Sequence, residues 1–309
     1  MKVVFMGTPD FAVDTLESIV KAGHEVPLVI SMPDKRKGRG KKMQATPVKE
    51  SALKHDLKVH QPIKVNDEET LSLLDEIQPD VIVVVAYGQI LRKHILELPK
   101  YGCVNVHASL LPKYRGAAPI NWAIIKGETK TGITTMMMEK GLDTGDMLMM
   151  KEVDIDEHDH AGVLHDKLMV VGGRLLVETL SKLEKNELQP IKQNEELSTY
   201  APMMDKTLGQ IDWNKDAYEI DQLIRGTYPW PGAYTRYQDE TVKILEAEKC
   251  EDCESGENGE ILEVNKKYIK IKCNSGCILI KQLQFSGKKA MTVQSYLAGN
   301  DIEKGIVLK

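Results

Sequence analysis

The chain has 309 residues, 42% of them hydrophobic and 28% charged, with a formal net charge of −5. That length exceeds what one hydrophobic core usually serves, so two domains are expected. No apolar run approaches the roughly 18–20 residues of a membrane span, which excludes a helical membrane protein, and MKVVFMGTPDF lacks a secretory cleavage pattern, so a cytoplasmic protein is expected.

In chain order, strand-like and helix-like segments alternate. KVVFMG reads as a first strand, FAVDTLESIVKAG as a helix, VPLVIS as a strand, PVKESALKHD as a helix and LKVHQP as a strand. This is the rhythm of βαβ units and predicts a Rossmann-like, mostly parallel α/β sheet with helices on both faces. A helix at EETLSLLDEI precedes PDVIVVVAY, an apolar run of the kind a strand buried on both faces requires, so VVVA is placed at the sheet centre. There follow a short helix near ILRKHIL, the strand CVNVHAS, a helix in APINWAIIKG with Pro119 in its first turn, the strands TGITTMMM and MLMMKEVDI, and a long amphipathic helix over residues 160–183. The methionines at 136–138 and 147–150 keep strand period and have no Cys or His companions, so they read as core packing rather than a soft-metal site.

Past residue 185, KNELQPIKQNEELSTYAP is polar and holds two prolines. It reads as an interdomain linker over 190–207, between a catalytic domain at 1–189 and a second domain at 208–309. After a short helix in AYEIDQLIRG, the second domain offers VKILEAE, GEILEV, YIKIKC and CILIKQLQ as closely spaced strands, the pattern of a small OB-like β-barrel. Four of the five cysteines, Cys250, Cys253, Cys273 and Cys277, form C-x2-C and C-x3-C and raise the question of zinc. In an intracellular setting mostly reduced thiols are expected, and YIKIKCNSGCILIKQL reads as a hairpin turning at Asn-Ser-Gly. Cys103 is a small core residue.

The strand Val104-Asn105-Val106-His107 alternates, so Asn105 and His107 share one face and the valines the other. Open α/β sheets bind ligands beyond the carboxyl ends of their strands, and Ser109-Leu110-Leu111-Pro112 turns the chain at that edge. In GLDTGD two glycines flank Asp143 in a turn able to present its carboxylate. Asn, His and Asp need a Ser or Cys to make a nucleophilic triad, and only Ser109 is near. The set better suits an acyl transfer in which the substrate's own amine attacks: Asn105 as oxyanion donor, His107 as proton carrier, and Asp143 to orient and charge the imidazole.

NVHASLLPKYRGAAPINWAI together with GLDTGD resembles the signature of the folate-dependent formyltransferases. The resemblance extends over nearly the whole chain, through MGTPDFAV, PDKRKGRGKK, YAP, IDW, PGAYT and GKKAM, and is strongest to the members that act on a charged initiator tRNA in translation initiation. It implies N-formyl transfer from 10-formyltetrahydrofolate to the α-amino group of methionyl initiator tRNA, without a metal or a covalent enzyme intermediate, by a monomer. It also implies catalytic roles for Asn105, His107 and Asp143, and folate binding by Ser109, Leu110, Leu111 and Pro112. Met203 and Met204, after Tyr-Ala-Pro, depart from the basic residue common in relatives, and the cysteine pairs are not part of the family pattern.

Net charge argues mildly against RNA; local charge argues for it. Residues 35–42, KRKGRGKK, carry six basic side chains around two glycines. Residues 264–289 hold seven lysines and no acid, whereas 246–263 are rich in Asp and Glu, which suggests one basic barrel face. The resemblance implies that the basic loop recognises the acceptor end of the tRNA through Arg39, Lys41 and Lys42 and that the second domain holds the tRNA. Competing readings are a formyltransferase for an amino-sugar nucleotide or a formyltetrahydrofolate hydrolase, for which the basic loop has little use. A dinucleotide-dependent dehydrogenase is disfavoured because Gly7-Thr8-Pro9-Asp10 is not G-x-G-x-x-G. A noncatalytic RNA-binding protein is disfavoured by the Asn-His-Asp set.

Overall fold

The computed structural model of the chain describes residues 1–37 and 42–309. Among these, seven strands form one sheet in the order Met147–Asp154, Lys130–Met137, Cys103–His107, Val81–Val85, Lys2–Gly7, Glu25–Ile30, Val59–His60. Lys2–Gly7 pairs in parallel with both Glu25–Ile30 and Val81–Val85, and Val81–Val85 pairs in parallel with Cys103–His107. All five residues of Val81–Val85 are buried, which explains why an unbroken β-branched run, rather than an alternating one, encodes this strand. Cys103–His107 is antiparallel to Lys130–Met137, so the sheet is mixed on one side. The winding of the chain reverses between Lys2–Gly7 and Val81–Val85, which makes the carboxyl ends of the central strands a topological switch point.

The helix Ala161–Glu184 carries Gly172 and Gly173 in its interior, where each glycine costs about 1 kcal/mol relative to alanine. Close approach explains them. A Cβ at Gly173 would lie 2.5 Å from Ser18 Oγ and 2.9 Å from the Asp14 carbonyl, and one at Gly172 would lie 3.2 Å from Val106 Cγ1. The pair thus lets the helix settle against Val13–Lys21 and against the strand that carries His107.

By packing, the chain divides into Met1–Gly116, Thr131–Asp154 and His165–Tyr200 on one side and Ala117–Lys130, Ile155–Leu164 and Ala201–Lys309 on the other. This packing division differs from the contiguous 1–189, 190–207 and 208–309 division at 117–130, at 155–164 and in the expected linker. The helix Pro119–Ile125 groups with Ala217–Thr227, because Gly226 admits close contact and Asn121 Nδ2 donates to its carbonyl at 2.8 Å. Most of the segment expected as a linker belongs to the first unit: Ile191 and Met147 exchange both backbone hydrogen bonds at 2.9 Å.

The second unit contains an antiparallel sheet in the order Ala233–Tyr237, Glu240–Cys250, Cys277–Phe285, Ile269–Lys272, Ile261–Val264, with Met291–Thr292 also pairing with Cys277–Phe285. Its core is built from Ile244, Ile261, Ile269, Ile271, Ile278, Ile280, Leu283 and Phe285, with Ile220 and Ile224 from Ala217–Thr227. An α/β sheet and a second unit built on an antiparallel sheet are therefore the fold the alternation of segments predicts. The hairpin turn lies at residues 273–276, where Gly276 takes φ +73°. Cys253 and Cys277 form a disulfide, so that pair is not reduced. Cys273 is instead part of the apolar core, and burial pushes its thiol up to about 12. Cys250 stands opposite Cys277 in the strand register, but among the described residues no group of three or more His, Cys, Asp and Glu side chains is arranged to hold a metal ion.

Candidate active site

Val104 and Val106 are buried, and on the opposite face of their strand stand Asn105 and His107. His107 is 6% exposed, and its Nε2 lies 2.9 Å from the Tyr114 carbonyl. A carbonyl only accepts, so Nε2 carries the proton and Nδ1 is the basic nitrogen of the neutral ring. Nδ1 faces Asp143 Oδ2 at 3.6 Å. Asn105 Nδ2 donates to the other carboxylate oxygen, Oδ1, at 3.4 Å. The three residues singled out in the sequence are thus brought together, with a basic nitrogen and a carboxylate facing one another across a gap longer than a hydrogen bond. An imidazolium formed there is stabilised by the carboxylate.

The surrounding turns explain the placement. The turn after His107 is closed internally: Ser109 Oγ donates to the Lys113 carbonyl at 2.6 Å, and Thr134 Oγ1 donates to the Ser109 carbonyl at 2.7 Å while accepting from Leu111 N at 3.2 Å. Leu111 is buried with Met136 and Met147, the core role expected of those methionines. Tyr114 takes φ +58°, rare for a bulky residue, and Thr199 Oγ1 accepts its backbone N–H at 2.8 Å. That strained residue supplies the carbonyl that fixes the ring. Asp143 is also left-handed, φ +52°, a conformation Asp tolerates. Its Oδ2 accepts from Gly116 N at 2.9 Å. Gly145 allows the turn to close, since a Cβ there would lie 1.9 Å from the Met137 carbonyl.

Two contributors escaped the sequence pattern. Orientation of His107 comes from the Tyr114 carbonyl, whereas the pattern assigned it to Asp143. Gly116 holds the carboxylate, although it stood in the motif only as the last letter of Tyr-Arg-Gly. Backbone donors and acceptors have no side-chain signature, so only their proximity to the motif marked them.

At the two ends of the basic stretch, Lys35–Lys37 runs antiparallel to Lys42–Gln44, with Lys37 paired with Lys42. Lys42 is exposed; Arg39 and Lys41 lie outside the described residues. The hairpin's root is fixed: Lys49 Nζ donates to Asp34 Oδ2 and Gln61 Oε1, both at 2.7 Å, and Gln61 Nε2 donates to Asp34 Oδ1 at 2.7 Å and to the Met32 carbonyl at 2.7 Å. These bonds hold the Asp34 carboxyl below the usual carboxylate range.

Residues 1–180 match the formyl transferase family and residues 203–301 match the formyl transferase C-terminal domain. The chain is 52% identical over 308 residues to a methionyl-tRNA formyltransferase of Alkaliphilus oremlandii (strain OhILAs), covering 100% of this chain and 99% of that protein. It is 55% identical to a methionyl-tRNA formyltransferase of Alkaliphilus metalliredigens (strain QYMF), covering 100% and 98%. Among solved structures, a sugar 3N-formyl transferase in the presence of dTDP and 5-N-formyl-THF superposes with a TM-score of 0.69 at 21% identity, over 94% of this chain and 99% of that one, which supports the fold. The family signature read along the strand and turns, the two matched regions and half-identity over the full length agree: this chain belongs to the formyl transferase family.

Proposed function

We propose that the chain transfers the formyl group of 10-formyltetrahydrofolate to the α-amino group of methionyl initiator tRNA. The observation that carries the chemistry is the basic Nδ1 of His107 facing the Asp143 carboxylate at 3.6 Å, with Asn105 on the same strand face. The identity of the tRNA substrate rests on the full-length relatives and on the basic hairpin.

The neutral α-amine attacks the formyl carbon, forming a C–N bond and moving the carbonyl electron pair onto oxygen. Asn105 Nδ2 is the amide donor available to that oxyanion, in exchange for its long 3.4 Å contact with Asp143. His107 Nδ1 takes the proton the amine releases, and the imidazolium is stabilised by Asp143 and kept in register by the Tyr114 carbonyl. Collapse of the intermediate breaks the bond to N10 of the folate, which receives the proton. The reaction as written uses no metal. Ser109, Leu110, Leu111 and Pro112 form one wall of the donor site; Ser109 and Leu111 are turned inward, so their contribution is to hold the turn rather than to reach a ligand.

Arg39, Lys41 and Lys42 contact the acceptor end of the tRNA, and the Asp34–Lys49–Gln61 cluster gives that hairpin a fixed base. The second unit holds the remainder of the tRNA, and the enzyme acts in the cytoplasm as a monomer. A sugar-nucleotide acceptor is disfavoured by the six basic residues at 35–42. The test is incubation with 10-formyltetrahydrofolate and charged initiator tRNA: formyl-methionine on the tRNA is the expected product, and its absence, with binding of both substrates intact, contradicts the proposal.

A further inference from the structure

Gln193 lies in the polar stretch KQNEEL and yet is only 4% exposed. Its amide is used at every position. Nε2 donates to the carbonyls of Asp143 and Gly145, both at 2.8 Å, while Oε1 accepts from Arg115 Nε at 2.9 Å and from Nη2 at 2.8 Å. Two N–H groups and two lone pairs are all an amide has, and the network admits one assignment of its O and N. Glu195 takes two of the other guanidinium donors, Nη1 to Oε2 and Nη2 to Oε1, at 2.8 Å each. Arg115 itself is 8% exposed and is fixed through its backbone N–H to the Thr199 carbonyl at 2.9 Å.

The two ends of this bridge bear on the same residue, one directly and one through a neighbour of Arg115. One end grips the main chain of Asp143, which stands in the left-handed region at φ +52° and needs support from outside its own turn. The other grips the side chain of Arg115, whose neighbour Gly116 donates its N–H to Asp143 Oδ2 at 2.9 Å. A single buried amide therefore sets the distance between the Asp143 backbone and the donor that receives its carboxylate. We propose that Gln193, backed by Arg115 and Glu195, is a positioning residue for formyl transfer that acts by holding Asp143 against His107. The inference rests on the proposed role of Asp143 and deepens it.

Gln193→Glu is the informative variant. A carboxylate keeps the shape and still accepts from Arg115, but it has no proton for the Asp143 and Gly145 carbonyls, so the turn is released while the arginine stays paired. Misplacement by about 1 Å at a reacting constellation costs on the order of 10² in rate. In steady-state kinetics with both substrates varied, and corrected for the folded fraction from thermal melts, kcat is expected to fall about 10- to 100-fold, with KM for tRNA and folate within about two-fold of wild type. A purely structural role lowers the melting temperature without this split. Gln193→Asn, which keeps both functions on a side chain too short to span the gap, carries the test by the same readouts should the first variant not fold; if neither folds, the amide serves folding and the inference falls. Asp143→Asn is measured alongside. An inactive Asp143→Asn beside a Gln193→Glu of normal kcat overturns this inference alone, whereas a fully active Asp143→Asn overturns the reading beneath it.

Discussion

The polar groups of the first unit and the lysines of the second are organised in opposite ways. Around His107, each buried polar side chain meets a partner fixed by the main chain: the Tyr114 carbonyl, Gly116 N, or the carbonyls gripped by Gln193. On the second sheet, Lys270 pairs with Glu254 at 2.9 Å, Lys281 with Glu248 at 3.0 Å and Lys249 with Glu157 at 2.7 Å, each carboxylate being more than half exposed. Lys266, Lys267, Lys288 and Lys289 are exposed at its edges. A lysine count over 264–289 therefore overstates the positive field, because the acidic stretch at 246–263 folds back beside it. In the first unit, burial turns a few polar atoms into a defined geometry. In the second, the exposed Lys266, Lys267, Lys288 and Lys289 are screened by solvent, whereas Lys270 is buried against Glu254.

The sharpest way to break this contrast is at the ring. His107→Ala is expected to lower the single-turnover rate by about 10² to 10⁴, and Asn105→Ala by about 10² to 10³, with tRNA affinity retained in both. Because the two act on one transition state, the double variant should lose less than the product of the two single losses. A rate unchanged by either substitution would remove that residue from the chemistry. Gly145→Ala tests the geometry from the backbone side. Its Cβ must displace the Met137 carbonyl, so a destabilisation of about 1–3 kcal/mol is expected, read as a lower melting temperature together with reduced activity.

Next in size is the hairpin. Neutralising Arg39, Lys41 and Lys42 together should weaken tRNA binding and flatten its dependence on salt, by about 0.7–0.9 in slope for each phosphate contact removed. Folate binding should not change; a triple variant with wild-type affinity and slope would mean that the basic stretch is only solvated. The smallest effect is expected at Lys281→Met. A partly exposed surface pair of this kind is worth roughly 0–1 kcal/mol, so both melting temperature and the salt slope should stay close to wild type. A large loss of tRNA affinity there would show that the second unit, too, depends on individually placed charges.

Much of this was legible in the sequence, for identifiable reasons. The βαβ rhythm, the buried run Val81–Val85 and the alternation that puts Asn105 beside His107 are local patterns with fixed periods. The glycine-bounded turn announced Asp143. Gln193 was not legible: a polar residue in a polar, proline-containing stretch looks like a linker, and its partners stand 48, 50 and 78 residues away. The cysteine spacing left zinc as an open question beside the favoured hairpin for a related reason. A zinc ribbon and a hairpin can share C-x3-C, and only the packing sends Cys273 into the apolar core and joins Cys277 to Cys253. Helix Pro119–Ile125 packs with Ala217–Thr227, a grouping made by contact over a long sequence separation that no local pattern announces.

The central claim is that a carboxylate held beside a buried imidazole drives the transfer, and Asp143→Asn tests it most directly. The substitution keeps the shape of the turn and Asn also tolerates the left-handed backbone, while it removes the charge facing His107 Nδ1 at 3.6 Å. The measurement is the single-turnover rate of formyl-methionine formation on charged initiator tRNA across pH of about 6 to 9, the range in which histidine bases commonly titrate, with thermal melts and folate binding in parallel. The account predicts a severe loss of rate at every pH with stability and folate affinity close to wild type. Near-normal transfer at any pH in that range would contradict it, leaving Asp143 as a structural cap of its turn.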